Sequence, residues 1–328
     1  MAFLGALFFG FVPMVFFAAF VNWLDRYEKE PKLLLGAAFL WGVVIAGGGA
    51  YILNTAFGIG IYALTGSEGA AEFGTTSIVA PIIEEALKGL AVLMVFLMFR
   101  NEFDSVLDGV VYGAVAAMGF AAIENVLYIY RNGYLESGWE GFWILVVIRV
   151  VLVGWMHPFF TAFTGIGLAI ARMTRNVLVK IIAIPTGYAI AVVSHAFHNT
   201  FSGLIGGVEG LVAGTFVDYL GYAVMLGFII WMIVYERNIL KRNLRDELTS
   251  GLISPGQYSS ATSFFQTNAH LSALSSGTFR STARFYQVCG ELAHKKEQLA
   301  RVGDENGNTK IIENLRAELM QLGPQAKA

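Results

Sequence analysis

The sequence carries little charge. Only 14% of its 328 residues are Asp, Glu, Lys or Arg, whereas soluble domains average about 25%. Hydrophobic residues make up 56% of the chain, and most of the first 236 residues lie in long apolar runs. This distribution argues against an ordinary soluble protein and predicts a polytopic membrane protein.

Cysteine and an N-terminal basic region are also scarce. The single cysteine, Cys289, cannot form an intramolecular disulfide. No Lys or Arg precedes the first apolar run, as it would in a signal peptide, so we expect residues 1–23 to form a first membrane helix. The net charge of −2 argues neither for nor against nucleic acid, and we predict the lipid bilayer rather than nucleic acid as the partner.

Seven segments are long and apolar enough to cross a bilayer, which takes about 20 residues of helix. They lie at residues 2–24, 33–64, 76–99, 105–130, 141–171, 177–201 and 210–235. The second is unusually long, and glycines 47–49 are expected to break it. We therefore predict an all-α fold: a polytopic transmembrane bundle of about seven or eight helices that occupies residues 1–236.

The loops between these segments differ in basic charge. Alternate loops carry eleven Lys and Arg residues on one side of the membrane and one on the other. The positive-inside rule places the basic loops in the cytoplasm. We thus predict a cell-membrane protein with its N-terminus outside and its C-terminus in the cytoplasm.

The remaining residues, 237–328, have a different composition. Residues 246–277 are rich in Ser, Thr and Gly and are typical of a linker. Apolar residues recur at helical spacing over 278–323 and are interrupted by the turn sequence GDENGN, which predicts a cytosolic helical hairpin. We interpret this tail as a regulatory element or as a contact for a homo-oligomer.

Three ionisable residues interrupt the third apolar segment, in the sequence PIIEEALKGL. Glu84, Glu85 and Lys88 lie where a membrane helix is expected, and such residues are costly and usually functional. Glu84 and Lys88 are four residues apart and share a helix face, so we predict that they pair. Glu85 is then free for chemistry.

Three further segments carry polar groups at a similar depth. With the predicted topology, Glu124, His157 and His195 fall, like Glu85, in the middle-to-outer part of the membrane. Asn199 shares a helix face with His195 in the sequence HAFHN. Four helices can therefore direct carboxylates and imidazoles towards one pocket.

This set of side chains suits hydrolysis. Two imidazoles and a carboxylate form a plausible zinc site with an open position for water, and a further carboxylate can act as general base on that water. Asn199 and Lys88 could polarise a carbonyl group or stabilise an oxyanion. The same groups without metal would serve a carboxylate-activated water.

Structural explanations compete for each residue taken alone. A buried Glu–Lys ion pair is the structural alternative for EEALK, because ionisable residues within membrane segments commonly pair with one another. His157 alone is more typical of a core histidine, and His198 and Asp218 are best interpreted as structural. The functional interpretation depends on the occurrence of such polar residues in four segments at a similar depth.

The polar motifs together resemble the PrsW family of intramembrane proteases, relatives of the CAAX prenyl endopeptidases and the Abi membrane proteins. The resemblance covers residues 75–202 and depends on EEALK, GFAAIEN, HPFFTAFTG and HAFHN, which occur in the family's order on four membrane segments. It implies a membrane-embedded protease domain with its active site below the outer surface. The tail beyond residue 237 is long for this family.

The resemblance also implies roles for individual residues. Glu84 and Glu85 match the family's paired glutamates, and Glu85 is predicted to activate water. Lys88 and Asn199 complete the predicted catalytic group. The predicted metal ligands, for a divalent ion that we expect to be zinc, are Glu124, His157 and His195.

The implied substrate is a membrane-anchored protein, cut on its extracytoplasmic side as in the first cleavage of an anti-sigma factor. Two other functions compete with this one. Membrane carboxylates and histidines also occur in ion- or proton-coupled transporters, but the two halves of the chain show no matched pair of motifs. A non-catalytic membrane scaffold that signals through its tail is the third possibility.

Overall fold

The computed structural model describes residues 1–264, 267–304 and 307–328, and these residues form helices and short connections without any strand. The predicted all-α bundle is confirmed. Its first ten helices are α1 (Ala2–Leu24), α2 (Lys32–Trp41), α3 (Gly48–Thr65), α4 (Glu68–Gly74), α5 (Ala80–Met98), α6 (Val106–Leu127), α7 (Leu135–Val146), α8 (Met156–Arg172), α9 (Val177–Ile205) and α10 (Gly207–Asn243). Five more follow in the tail: α11 (Arg245–Thr249), α12 (Pro255–Ala261), α13 (Thr267–Ser275), α14 (Phe279–Val302) and α15 (Asn308–Leu322).

Five helices within the described residues have the length and apolarity to cross a membrane. One of them, Val106–Arg172, spans 67 residues and includes two predicted segments, because the chain reverses at Gly138, whose φ is +62°. The charged α5 is not among the five, although it packs in the same bundle. Large apolar side chains such as Phe16 (69% exposed) and Val224 (74% exposed) face outwards, as lipid contact requires.

Helix α6 lies at the centre of the bundle. Eighteen of its 22 residues are buried, and α1, α2, α5 and α8 pack around it. Small residues make this possible: a Cβ added to Gly109 would lie 2.3 Å from the carbonyl oxygen of Gly165 on α8. Such close backbone approach is typical of helices that pack in membranes, and it fixes α8 against α6.

The expected break at glycines 47–49 is wrong. The chain remains helical from Lys32 to Thr65 and contains a wider, π-helical turn at Gly42–Gly47 in place of a break. The cause lies in packing, because a Cβ on Gly42 would meet the carbonyl oxygen of Ala116 at 2.0 Å. Wide turns of this kind are common near functional sites.

The tail packs on the bundle. Within the interval predicted as a linker, α12 begins at Pro255 because Ser254 and Gln257 form a capping box. Helices α14 and α15 lie where the hairpin is predicted, and α14 crosses the connection between α1 and α2. A Cβ on Gly290 would lie 1.9 Å from the carbonyl oxygen of Tyr27, so the contact is backbone to backbone.

Candidate functional site

A cavity of about 580 Å³ opens at the end of the bundle away from the tail. Its walls come from α3, α5, α6, α8, α9 and α10. Among the described residues, the charged, amide and imidazole side chains that line it are Asn54, Glu84, Glu124, Arg149, His157, His195, His198, Asn199 and Asp218. Glu85 and Lys88 do not line the cavity and lie behind this wall, with no exposed surface.

Glu85 is fully engaged by its neighbours. Its Oε1 accepts from Lys88 Nζ at 2.5 Å and lies 2.9 Å from His195 Nδ1, while its Oε2 accepts from Thr161 Oγ1 at 2.8 Å. These contacts join α5 to α8 and α9. Glu85 is therefore the centre of a buried network and not a group that faces the cavity.

Lys88 pairs with Glu85, so the predicted pairing with Glu84 is wrong. Positions three and four residues apart share a helix face equally well, and the choice depends on what else the lysine contacts. Here Lys88 Nζ also donates to His157 Nδ1 at 3.2 Å and lies 4.5 Å from the centre of the Phe120 ring. Glu84 therefore faces the cavity, where Asn54 Nδ2 donates to its Oε1 at 3.1 Å.

Each of the two histidines is held by a carboxylate. His195 Nδ1–H donates to Glu85, which leaves the lone pair on Nε2, 3.7 Å from Glu84 Oε2. His157 Nε2 lies 2.8 Å from Glu124 Oε2 and donates to it, because its Nδ1 accepts from Lys88. Carboxylates that orient imidazoles in this way are typical of metal-ligating histidines.

Glu124 and Arg149 form a second charged pair at the cavity wall. Arg149 Nη2 contacts Glu124 Oε2, and its Nε donates to Asn125 Oδ1 at 2.9 Å. The Arg149 guanidinium also stacks over the Tyr128 ring at 4.1 Å. The side chain of Glu124 stays 19% exposed and is accessible to water in the cavity.

Three donor residues approach one another closely enough to share a metal ion. Ligand atoms of Glu84, His157 and His195 all lie within 4.8 Å of one another. Glu84 Oε2 is buried without a hydrogen-bond partner, which is costly unless a proton or a cation compensates it. The donor set suits zinc, although both ring nitrogens of His157 have partners, so a bound metal must displace Lys88 or Glu124.

The other predicted residue, Asn199, lies at the rim. It lines the cavity, and its Nδ2 donates to the carbonyl oxygen of Thr76 at 2.8 Å, which ties α9 to the turn before α5. His198 Nδ1 lies 2.9 Å from Asp218 Oδ2 and links α9 to α10, in line with the structural interpretation of both residues.

Three residues of the site were not predicted from the sequence. Asn54 and Arg149 each interrupt an apolar run, and that isolation is a signal that could have identified them. Thr161 offers no such signal, because threonine is common in membrane helices and only its contact with Glu85 distinguishes it.

The chain matches a known family over most of its membrane part. A family model described as "PrsW family intramembrane metalloprotease" matches residues 30–235. This range includes all the predicted site residues and excludes the tail helices. A comparison with solved structures gave no match.

Curated relatives of the chain carry the name Protease PrsW. The relative from Geobacillus kaustophilus is 32% identical over 156 residues, which are 48% of this chain and 62% of that protein. The relative from Bacillus subtilis is 30% identical over 168 residues, 51% of this chain and 69% of that protein. The relative from Clostridioides difficile is 31% identical over 131 residues, 39% and 52% of the two chains. The chain thus covers less than two thirds of the Geobacillus relative.

Proposed function

Since the chain belongs to the PrsW family of intramembrane metalloproteases, we propose that it is an intramembrane endopeptidase that hydrolyses membrane-anchored proteins. The observation that carries the proposal is the convergence of Glu84, His157 and His195 at the wall of one cavity. We propose that this reaction is a site-1-type cut of an anti-sigma factor, near the extracytoplasmic side of the membrane.

Glu84, His157 and His195 would hold the metal ion. The unpartnered Glu84 Oε2 and the lone pair of His195 Nε2 support this choice. A zinc ion bound there would supply a Lewis acid that polarises a carbonyl group and lowers the pKa of water. In this ligand set Glu84 replaces Glu124, the carboxylate that was predicted as a ligand from the sequence.

Glu124 is the proposed general base. It faces the cavity, and as water adds to the scissile carbonyl carbon it would accept the proton and return it to the nitrogen of the leaving amine. The ion pair with Arg149 would hold the Glu124 carboxylate in place at the cavity wall. Glu85, which was predicted to activate water, would instead position His195, because both of its oxygens are already engaged.

Two donors at the cavity wall could stabilise the negative charge that develops on the carbonyl oxygen. Asn199 and Arg149 both line the cavity, and donors aimed at such an oxyanion typically contribute about 3–4 kcal/mol. Lys88 would act indirectly, by holding Glu85 and His157 together behind the wall.

We also propose the membrane orientation that the basic loops predict. With the N-terminus outside, the cavity opens towards the extracytoplasmic side and the tail lies in the cytoplasm. A membrane-impermeant thiol reagent, applied to intact cells, is expected to label Glu68→Cys but not Ser250→Cys in a Cys289→Ser chain. The opposite labelling would reverse the orientation. The apolar residues Phe285 and Leu292 of α14 are buried within the same chain, so we do not extend the proposal to an oligomer through the tail.

The proposal is tested by comparing membrane proteins in cells that express the wild-type chain or His195→Ala. New protein N-termini, located near the outer ends of single-pass segments, are expected only with the wild type. His270→Ala, a substitution in the tail, is the matched control and should leave the new termini unchanged. Identical sets of termini with the wild type and His195→Ala would contradict the proposal.

A further inference from the structure

A second group of metal-binding side chains lies at the junction between the tail and the bundle. Glu28 comes from the connection between α1 and α2, Asp104 from the connection before α6, and His294 from α14. Their ligand atoms lie within 4.8 Å of one another. His294 Nδ1 is 3.3 Å from Glu28 Oε2 and 3.4 Å from Asp104 Oδ1, which is longer than an ordinary N–H···O hydrogen bond.

Several buried atoms in this group have no hydrogen-bond partner. Glu28 Oε2 and His294 Nε2 are buried and make no hydrogen bond. Glu236, whose charge acts on His294, is 1% exposed, and neither of its oxygens is hydrogen-bonded. The Ser105 hydroxyl cannot satisfy Glu236, because its single proton is donated to Asp108 Oδ1 at 2.6 Å.

The local charge balance is negative. Lys295 Nζ contacts Asp104 Oδ2 and leaves Asp104 Oδ1 towards His294. Even with His294 protonated, the four carboxylates of Glu28, Asp104, Asp108 and Glu236 exceed the cations Lys295 and His294 by two negative charges. Buried carboxylates without compensation are strongly unfavourable, and a divalent cation supplies the required charge.

We propose that Glu28, Asp104 and His294 bind a divalent transition-metal ion, with Glu236 beside it, and that this ion fastens the tail to the membrane bundle. The spacing supports this assignment, since ligand atoms about 2.0–2.1 Å from a tetrahedral zinc ion lie about 3.3 Å apart. The imidazole selects zinc or a similar metal over Mg²⁺ and Ca²⁺, which prefer oxygen ligands.

This second site is independent of the cavity. Glu28 and His294 lie outside residues 30–235, the range that matches the family. The site would therefore be a property of this chain's tail, with a structural role in holding α14 in place.

The test uses the full-length protein in detergent, with zinc added and the excess removed. A His157→Ala/His195→Ala chain lacks the proposed catalytic ligands, so its metal content reports the tail site alone, whatever the outcome at the cavity. We expect about one zinc ion per chain in this background. Addition of His294→Ala should remove it, while His270→Ala, on α13, should retain it.

A second measurement covers the case in which His294→Ala fails to fold. EDTA treatment of the double-variant background should speed protease cleavage of the tail by about tenfold, and Zn²⁺ but not Mg²⁺ should reverse this. Glu28→Gln should abolish the Zn²⁺ effect. Three results would each overturn the proposal: a double-variant background that binds no zinc, a folded His294→Ala chain that retains zinc, or a tail whose cleavage does not respond to EDTA. The cluster would then be held together by protons shared between its carboxylates and His294.

Discussion

At the scale of single residues, the charges behind the cavity depend on one another. Lys88 is the ammonium that compensates Glu85, and both side chains are 0% exposed. It also orients His157 through Nδ1. A change to any one of these residues therefore leaves another without its partner.

We predict that Lys88→Met lowers the free energy of unfolding by about 3–5 kcal/mol, because Glu85 then remains as an uncompensated buried charge. Adding Glu85→Gln removes that charge, so the double variant should recover most of the loss. Denaturant titration of the purified proteins measures both values. Strictly additive losses would show that the two residues do not compensate each other.

A second prediction separates two roles for Glu85. If Glu85 positions His195, Glu85→Gln should weaken zinc binding by about 10–100-fold, the usual effect of removing such a carboxylate. If Glu85 instead acts on water, the variant should lose cleavage with its zinc affinity intact. Competition with a chelator gives the affinity, and Glu136→Gln, an exposed carboxylate on α7, is the control.

The sequence could predict which residues meet but not how they pair. Polar residues in four apolar segments indicated a shared pocket, and the structure brings Glu84, His157 and His195 together there. Whether Lys88 turns to Glu84 or Glu85 depends on neighbours such as His157 from a distant part of the chain, which helix periodicity does not reveal.

At the scale of helices, the site depends on the close packing of α6 against α8. Gly109 and Gly165 bring the two backbones together, and α8 carries both Thr161 and His157 into the network. The distance between these helices therefore sets the contacts of His157 with Glu124 on α6.

We predict that Gly109→Ala lowers the free energy of unfolding by about 1–3 kcal/mol and reduces cleavage, because the new methyl group forces α6 and α8 apart. Gly60→Ala is the control, since a Cβ on Gly60 would have no neighbour within 4 Å. Thermal unfolding and cleavage should be measured together. Equal behaviour of the two variants would contradict the packing argument.

The contact between α10 and α14 should depend on pH. Burial raises the pKa of Glu297, but hydrogen bonds from Arg242, Arg301 and Asn243 outweigh it and lower the pKa below its ordinary value of 4.5. The stabilisation is thus present above pH 4.5 and is lost as the pH falls through the lowered pKa.

Protease sensitivity of the tail measures this effect. The wild-type tail should become more sensitive as the pH falls below 4.5, and Glu297→Gln should show a smaller change with pH. The hydrogen bonds suggest an effect of about 1 kcal/mol, since the two arginines are partly exposed. A Glu297→Gln chain with the same pH dependence as the wild type would exclude this cause.

The membrane helices could be located from apolar runs, whereas the docking of the tail could not. The length of the local apolar run is enough to locate α1 and α9, but the contact of Gly290 with Tyr27 joins residues over 260 positions apart. Short helices such as α12 depend on capping by Ser254 within a stretch whose composition is typical of a linker.

At the scale of the whole molecule, the cavity and the tail junction lie at opposite ends of the bundle, and α6 connects them. A transporter would also need polar groups in the membrane, but the family match and the grouping of Glu84 with two histidines favour hydrolysis. We propose that Glu84 completes a metal-dependent protease site.

Cleavage of a single-pass substrate in liposomes, by the wild type, Glu84→Gln and Glu136→Gln, tests that claim most directly. All three proteins should be compared at equal amounts of folded protein. The wild type and Glu136→Gln are expected to release product at the same rate, and Glu84→Gln to release none. Product release by folded Glu84→Gln at the wild-type rate would contradict the account.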